Sequence, residues 1–156
     1  MARAPLRRRR VLVVDDDPVT VDWLRMVVEQ AAVDPPFEVR TASLGKVGEA
    51  IFDEWRPEIV LLDLLLPDGD GLAVLRRMKE RAPGCEVIVI SGQGTIARAL
   101  DAGQAGAFFF VEKSQLDPDG LVSILERAGR QVDERVTHEE LRAKLRDPDG
   151  MGAVIG

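Results

Sequence analysis

The chain has 156 residues, 46% of them hydrophobic and 31% charged, a formal net charge of −6 and one cysteine, Cys85. That is room for one domain of ordinary size plus a short appendage, with a core that needs no staples, and it excludes an internal disulfide. The acidic balance argues against direct nucleic-acid binding by this segment, and no apolar run approaches the roughly 18 residues a spanning helix needs. The first ten residues are basic, but a short apolar run and three acids follow them instead of a secretory core, so the expected location is the cytoplasm, away from the membrane. The run Arg7 to Arg10 reads as a solvated lead-in to the first strand.

In chain order, Val11-Leu12-Val13-Val14 is too short and too β-branched for a helix and reads as a strand. Asp17 and Pro18 look like a helix cap and a first-turn proline, and Val21, Leu24, Val28 and Ala31 then share one face. Phe37 to Thr41 alternates apolar and polar, as an edge strand does. Leu44 to Trp55 predicts a second helix that stops before Arg56-Pro57. Ile59-Val60-Leu61-Leu62 is the next strand. Leu72, Leu75, Met78 and Ala82 stripe a third helix, closed by Pro83-Gly84. Val87-Ile88-Val89-Ile90 follows as a strand. Ile96, Ala99 and Leu100 then mark a short helix ending near Gly103. Phe108-Phe109-Phe110-Val111 is the last strand, and after Asp117-Pro118 the residues Leu121, Ile124, Leu125 and Ala128 fall at helical spacing. The strand–helix unit thus occurs five times. Continuous apolar strands joined through helices imply a parallel sheet covered on both faces, an α/β doubly wound fold whose working site lies beyond the carboxyl ends of the strands.

Those ends carry Asp15-Asp16-Asp17, Asp63, Ser91 and Glu112-Lys113. Carboxylates packed together repel and raise one another's pKa. A hard divalent cation removes the conflict, and Mg2+ suits it because it takes a few carboxylates, keeps waters and accepts phosphate oxygens. The lysine adds fixed positive charge and the serine a hydrogen bond. This is an inventory for handling a phosphoryl group. Two decoys are set aside. Gly92-Gln93-Gly94-Thr95-Ile96-Ala97 nearly fits a dinucleotide fingerprint, but it sits on the fourth unit beside a mouth of carboxylates that would repel a pyrophosphate. Asp68-Gly69-Asp70-Gly71 lacks the rest of a calcium loop and reads as a turn leading into a helix cap.

The segments Val11 to Pro18, Asp63-Leu64-Leu65-Leu66-Pro67-Asp68-Gly69-Asp70-Gly71, Val89 to Gly92 and Phe110 to Lys113 together resemble the receiver domain of two-component response regulators, over about residues 9 to 128. The resemblance implies a flavodoxin-like five-stranded sheet of order 2-1-3-4-5. It implies that Asp63 accepts a phosphoryl group from a sensor histidine kinase, with Mg2+ held by Asp15, Asp16, Asp63 and the backbone carbonyl of Leu65. Ser91 would be the hydroxyl that moves onto the phosphoryl group, Lys113 the strand-five lysine, and Phe110 the switch aromatic that turns inward with Ser91. No turnover enzyme is implied, only self-phosphorylation and slow self-dephosphorylation. The chain departs from the family pattern after Lys113, where Ser114 replaces the usual proline. A cis bond there would cost about 3–4 kcal/mol, so a trans Lys113–Ser114 peptide is expected. Two other readings compete. An aspartyl phosphohydrolase would want a second carboxylate where Leu65 stands. A degenerate receiver, serving only for dimerisation or docking, has Ser114 as its one support.

Beyond about residue 130 the five-fold pattern ends. Arg127 to Arg146 is charged and helix-prone, with sparse apolar positions at Val132, Val136, Leu141 and Leu145, and Thr137-His138-Glu139-Glu140 has the spacing of a capping box at which a helix would restart. The expected organisation is a receiver over 1–129 and a helical linker over 130–156. A second copy would cover the thin stripe, giving a homodimer through helix 5 and the linker. His138 has no plausible set of co-ligands. Met151-Gly152-Ala153-Val154-Ile155-Gly156 looks like the approach to the ATPase domain in activators of the alternative, nitrogen-type sigma factor, and Ile90 to Ile96 is similar to the receivers of those proteins. A regulatory domain plus linker, leading to a transcriptional output domain, is the expectation.

Overall fold

The computed structural model describes residues 7–146. Five strands, β1 (Arg9–Val14), β2 (Phe37–Ala42), β3 (Ile59–Leu62), β4 (Glu86–Ser91) and β5 (Phe109–Glu112), alternate with five helices, α1 (Pro18–Gln30), α2 (Gly45–Trp55), α3 (Gly71–Arg81), α4 (Ile96–Gln104) and α5 (Pro118–Arg146). The strands form one parallel sheet in the order β2-β1-β3-β4-β5. This is the doubly wound, flavodoxin-like architecture with a C-terminal helical extension that the alternation predicts.

The period of two along each strand sorts the core into two layers. Leu12 and Val14 of β1 join Val60, Leu62, Val87 and Val89 against Phe52, Leu75, Met78 and Ala102. Val11 and Val13 join Ile59, Leu61, Ile88 and Ile90 against Leu24, Val28, Leu121, Leu125 and Ala128. Because helices cover both faces, every residue of β3 is buried. Each fully buried Leu, Ile or Phe contributes about 1.5–3 kcal/mol by leaving water.

Local chemistry sets the helix starts. Asp17 caps α1, its Oδ1 accepting from the Val19 N–H at 3.3 Å and its Oδ2 from the Thr20 hydroxyl at 2.6 Å, with Pro18 in the first turn. Asp70 caps α3 by accepting from the Leu72 N–H. Helix α2 has no cap of its own, since Leu44 stands at that position. Its first N–H groups are satisfied from a distance: Asp68 accepts from Gly45 N–H at 2.7 Å and Lys46 N–H at 2.9 Å. Asp68 lies at the tip of a small antiparallel hairpin, Leu65–Leu66 against Gly69–Asp70, that joins β3 to α3. The hairpin after β3 is therefore tied to α2.

One expected helix forms with its apolar residues turned outward, and two expectations are corrected. The stripe of Ile96 and Leu100 on α4 faces solvent, with these residues 82% and 61% exposed, and Ala102 is the fully buried residue of that helix. The helix does not restart at Thr137. Helix α5 runs unbroken from Pro118 to Arg146, and the Thr137 hydroxyl donates to the Asp133 carbonyl four residues back, as a mid-helix side chain does. The reason is composition: Glu, Arg, Lys and Leu dominate this stretch and keep the backbone helical where a cap would need it extended. Second, Val132 is buried against its own domain, while Val136, Leu141 and Leu145 are exposed. The 129/130 boundary falls inside α5. The Lys113–Ser114 peptide is trans; among the described residues the cis bond is Asp34–Pro35. Also among them, no helix is long and apolar enough to cross a membrane. The segment Met151–Gly156 lies outside the described residues.

Candidate functional site

The parallel register delivers four strand ends to one edge of the sheet. Asp15 follows β1, its N–H donating to Ala42 O of β2, and Asp63 follows β3, its N–H donating to Val14 O of β1. The ladder thus holds both backbones one residue past the strands, where the side chains leave the core. Ser91 closes β4 opposite Glu112 of β5, and Lys113 opens a 3₁₀ turn directly after β5.

Carboxylate oxygens of Asp15, Asp16 and Asp63 lie within 4.8 Å of one another, with Asp15 and Asp63 buried and Asp16 exposed. Backbone N–H groups aim the two buried carboxylates: Asp17 N–H donates to Asp15 Oδ1 at 2.9 Å, and Leu65 N–H donates to Asp63 Oδ1 at 3.0 Å. Their second oxygens turn toward Lys113, whose Nζ stands 2.8 Å from Asp15 Oδ2 and 3.2 Å from Asp63 Oδ2. Burial pushes the Asp15 carboxyl above its ordinary value, against the pull of Lys113 and of the Asp17 N–H. Burial pulls the Lys113 ammonium down, but Asp15 and Asp63 together outweigh it and hold the group above its ordinary value.

These residues fit a divalent cation. Three carboxylates against one ammonium leave a formal charge of −3 + 1 = −2 in the cluster. Asp15 Oδ2 is buried and leans on the Lys113 ammonium at 2.8 Å, which it shares with Asp63. A buried carboxylate whose one counter-charge is shared with a second carboxylate is under-neutralised, and an oxygen-seeking cation supplies the missing positive charge.

The remaining predicted residues stand at different distances from this cluster. Ser91 is fully buried, and its hydroxyl is engaged with its own loop, donating to Gln93 O at 3.2 Å and accepting from Gln93 N–H at 3.1 Å. The Leu65 side chain follows Asp63 by two residues and is 44% exposed. Phe110 is half-buried and packs against the core layer that includes residues of α3 and α4. Two supports of the site were not read from the sequence. One is Asp68, whose partners lie more than twenty residues away. The other is Gly71, where an added Cβ would overlap Leu64 Cα and come 2.6 Å from Leu64 O and 2.8 Å from Asp63 O. Only a glycine lets α3 begin so close to the backbone that carries Asp63.

A family model described as the response regulator receiver domain matches residues 11–126, most of the chain. The chain belongs to the response regulator receiver family. It is 35% identical over 105 residues to the photosynthetic apparatus regulatory protein RegA of Cereibacter sphaeroides, covering 67% of this chain and 55% of that protein. It is 35% identical over 124 residues to the DNA-binding transcriptional regulator NtrC of Escherichia coli K12, covering 79% of this chain and 25% of that one. The chain thus spans about half the length of RegA and a quarter of NtrC. Among solved structures it resembles a CheY-like receiver domain protein from Methanospirillum hungatei, with a TM-score of 0.73 and 27% identity, covering 82% of this chain and 99% of that one. It also resembles NtrX from Brucella abortus, with a TM-score of 0.78 and 31% identity, over 89% of this receiver chain and 30% of that protein.

Proposed function

We propose that this receiver takes a phosphoryl group from the phosphohistidine of a sensor histidine kinase onto Asp63, with Mg2+, and that the modified state acts on a transcriptional output. The observation that carries the reading is the buried Asp15–Lys113–Asp63 bridge, with the Asp16 carboxylate next to it, at the carboxyl edge of the sheet. Asp15, Asp16 and Asp63, with the Leu65 carbonyl, would hold the metal, which supplies charge neutralisation for the carboxylates and for the transferring phosphoryl oxygens.

Asp63 attacks phosphorus through Oδ2. The new O–P bond forms as the P–N bond to the kinase imidazole breaks, and the released nitrogen takes a proton from solvent. Lys113 holds an equatorial oxygen, trading part of its contact with Asp63 for the anion that Asp63 becomes. Ser91 leaves Gln93 and donates to a phosphoryl oxygen. Phe110 turns inward behind it, and the α4–β5–α5 face changes shape. That face carries exposed apolar side chains, Ile96, Leu100 and Phe109, which a changed packing would expose or cover. Phosphorylation works by favouring one of two states.

The receiver occupies 1–129 and the helical linker 130–156, which leads to an output domain and pairs with a second copy as a homodimer. The chain works in the cytoplasm, makes no nucleic-acid or membrane contact through this segment, and turns over no substrate beyond its own acyl phosphate. Relatives named as transcriptional regulators support the class of output. Incubation with acetyl phosphate and Mg2+, read by intact mass, tests the reading. One added phosphate is expected, absent without the metal and absent in Asp63→Ala. An unmodified wild-type chain overturns it.

A further inference from the structure

The edge of the sheet opposite the carboxylates holds a second charged cluster, and it grips α5. Arg9 of β1 is only 5% exposed, a rare state for an arginine. Its guanidinium donates to Glu58 Oε2 at 2.7 Å, to Asp133 Oδ2 at 3.0 Å and to the Gly129 carbonyl at 3.2 Å. Arg7 reinforces the same pair, 3.0 Å from Glu58 and 3.3 Å from Asp133. Two residues further along α5, Arg135 donates to the Pro83 carbonyl at 3.0 Å and stands 3.6 Å from Glu86 Oε2. Glu86 is itself buried at the start of β4 and is shared with Lys79 at 3.3 Å. Val132, between these α5 positions in the sequence, is buried.

Gly129 is an independent sign that this is a built contact. It sits in the interior of α5, where glycine is a weak helix former. A Cβ there would come 2.6 Å from Arg9 Nε and 2.7 Å from Arg9 Cζ. The missing side chain is the space through which the guanidinium crosses the helix to reach its backbone. Sequence positions 9, 58, 86, 129, 133 and 135 thus make one device, built from three strand starts or their leads and one helix.

We infer that this base clamp fixes the first two turns of the linker to the receiver, so that the mechanical unit extends through Arg135 and the free stem starts at Val136. The clamp lies at the far end of the strands from Asp63 and sets the axis along which α5 leaves the domain. Helix α5 runs from the 3₁₀ turn after Lys113 at one end of the sheet to this anchor at the other. Any displacement at its first turns is therefore delivered to the stem about a fixed point. The charged stretch past residue 130 buries little apolar surface of its own, and the clamp supplies the tertiary support its packing lacks.

Hydrogen exchange of the 156-residue chain, with Asp133→Asn and Arg135→Gln combined, tests this without touching the carboxylate site. Both altered side chains are partly exposed, and Arg9 keeps Glu58 and the Gly129 carbonyl as partners, so the variant weakens the clamp beyond residue 129. Amides of 130–146 are expected to exchange about tenfold faster, the scale of one lost charged hydrogen bond, while those of 121–128 keep their rates. Asp133→Glu with Arg135→Lys should recover most of the protection. Unchanged exchange over 130–146 overturns the inference. So does acceleration spread evenly over the whole domain, which would mean a general loss of stability instead of a local anchor. Arg9→Met serves as a second perturbation: if it folds with normal protection of α5, the clamp is again excluded.

Discussion

Glycine-to-alanine exchange at two helix positions should move stability in opposite directions. At Gly71 the new methyl would overlap Leu64 Cα and stand 2.6–2.8 Å from the Leu64 and Asp63 carbonyl oxygens, whereas at Gly103 in α4 nothing lies within 4 Å. Ordinary contact needs about 3.5 Å or more, so the Gly71 variant has to open the backbone by close to an ångström, and backbone cannot rotate away as a side chain can. Overpacking of this kind costs about 1–3 kcal/mol. The propensity gain from alanine recovers little of it, since Gly71 is the first residue of α3. In the last turn of α4, Gly103→Ala should gain up to about 1 kcal/mol. For a domain of this size, about 2 kcal/mol lost at Gly71 lowers Tm by roughly 4–10 °C, and the Gly103 variant should melt up to roughly 4 °C higher than the wild type. Thermal unfolding followed by circular dichroism reads both. Because the displaced backbone carries Asp63, the Gly71 variant should also bind Mg2+ more weakly. Equal or raised Tm for Gly71→Ala, or the same sign for both variants, would refute the packing argument.

Leu65→Asn should speed loss of the acyl phosphate, because an apolar side chain two residues from the acceptor keeps water off it; phosphate release timed after removal of excess phosphodonor decides this, and equal or slower loss ends the idea. Burial pushes the Cys85 thiol up to about 12, so at pH 8 it should resist iodoacetamide in the native chain and react promptly in denaturant; rapid native alkylation would contradict the burial. Glu49 accepts a two-pronged contact from Arg77 at 2.8 Å and another from Arg81 at 2.6 Å, and Arg77 chiefly holds its carboxyl below the ordinary 4.5. Its charge is thus kept to lower pH in the folded than in the unfolded chain. The stabilisation is present above about 4.5 and is lost as pH falls through the depressed value. Denaturant titrations between neutral pH and pH 3 should therefore show a shallower acid-side loss in Glu49→Gln than in the wild type, and parallel curves would exclude the pair as a contributor.

The fold was legible because its signals are local and repeated. Continuous β-branched runs such as Val87–Ile90 can only be satisfied in a strand covered on both sides, and Asp17-Pro18 starts a helix by its own chemistry. The strand-end acids were legible for the same reason: each stands one residue past an apolar run, and the parallel register does the rest. What escaped the reading depends on partners distant in sequence. Asp68 caps a helix that begins 23 residues before it. Gly71 and Gly129 are glycines because of what lies against them, and nothing in their own neighbourhood says so. The outward turn of Ile96 and Leu100 shows the converse: apolar residues at helical spacing mark a face, and only the sheet decides which face is inside. In α5, the capping-box spacing at Thr137 lost to the helix propensity around it, aided by anchors on Arg9 and Glu86 that a linear pattern does not show.

The carboxylate that takes the phosphoryl group can be trapped chemically. The phosphodonor-treated chain can be reduced with borohydride, which converts an aspartyl phosphate to homoserine, and then mapped by peptide mass. Homoserine is expected at position 63, dependent on Mg2+ during phosphorylation. Homoserine at 15 or 16, or none anywhere in a folded chain, would contradict Asp63 as the acceptor.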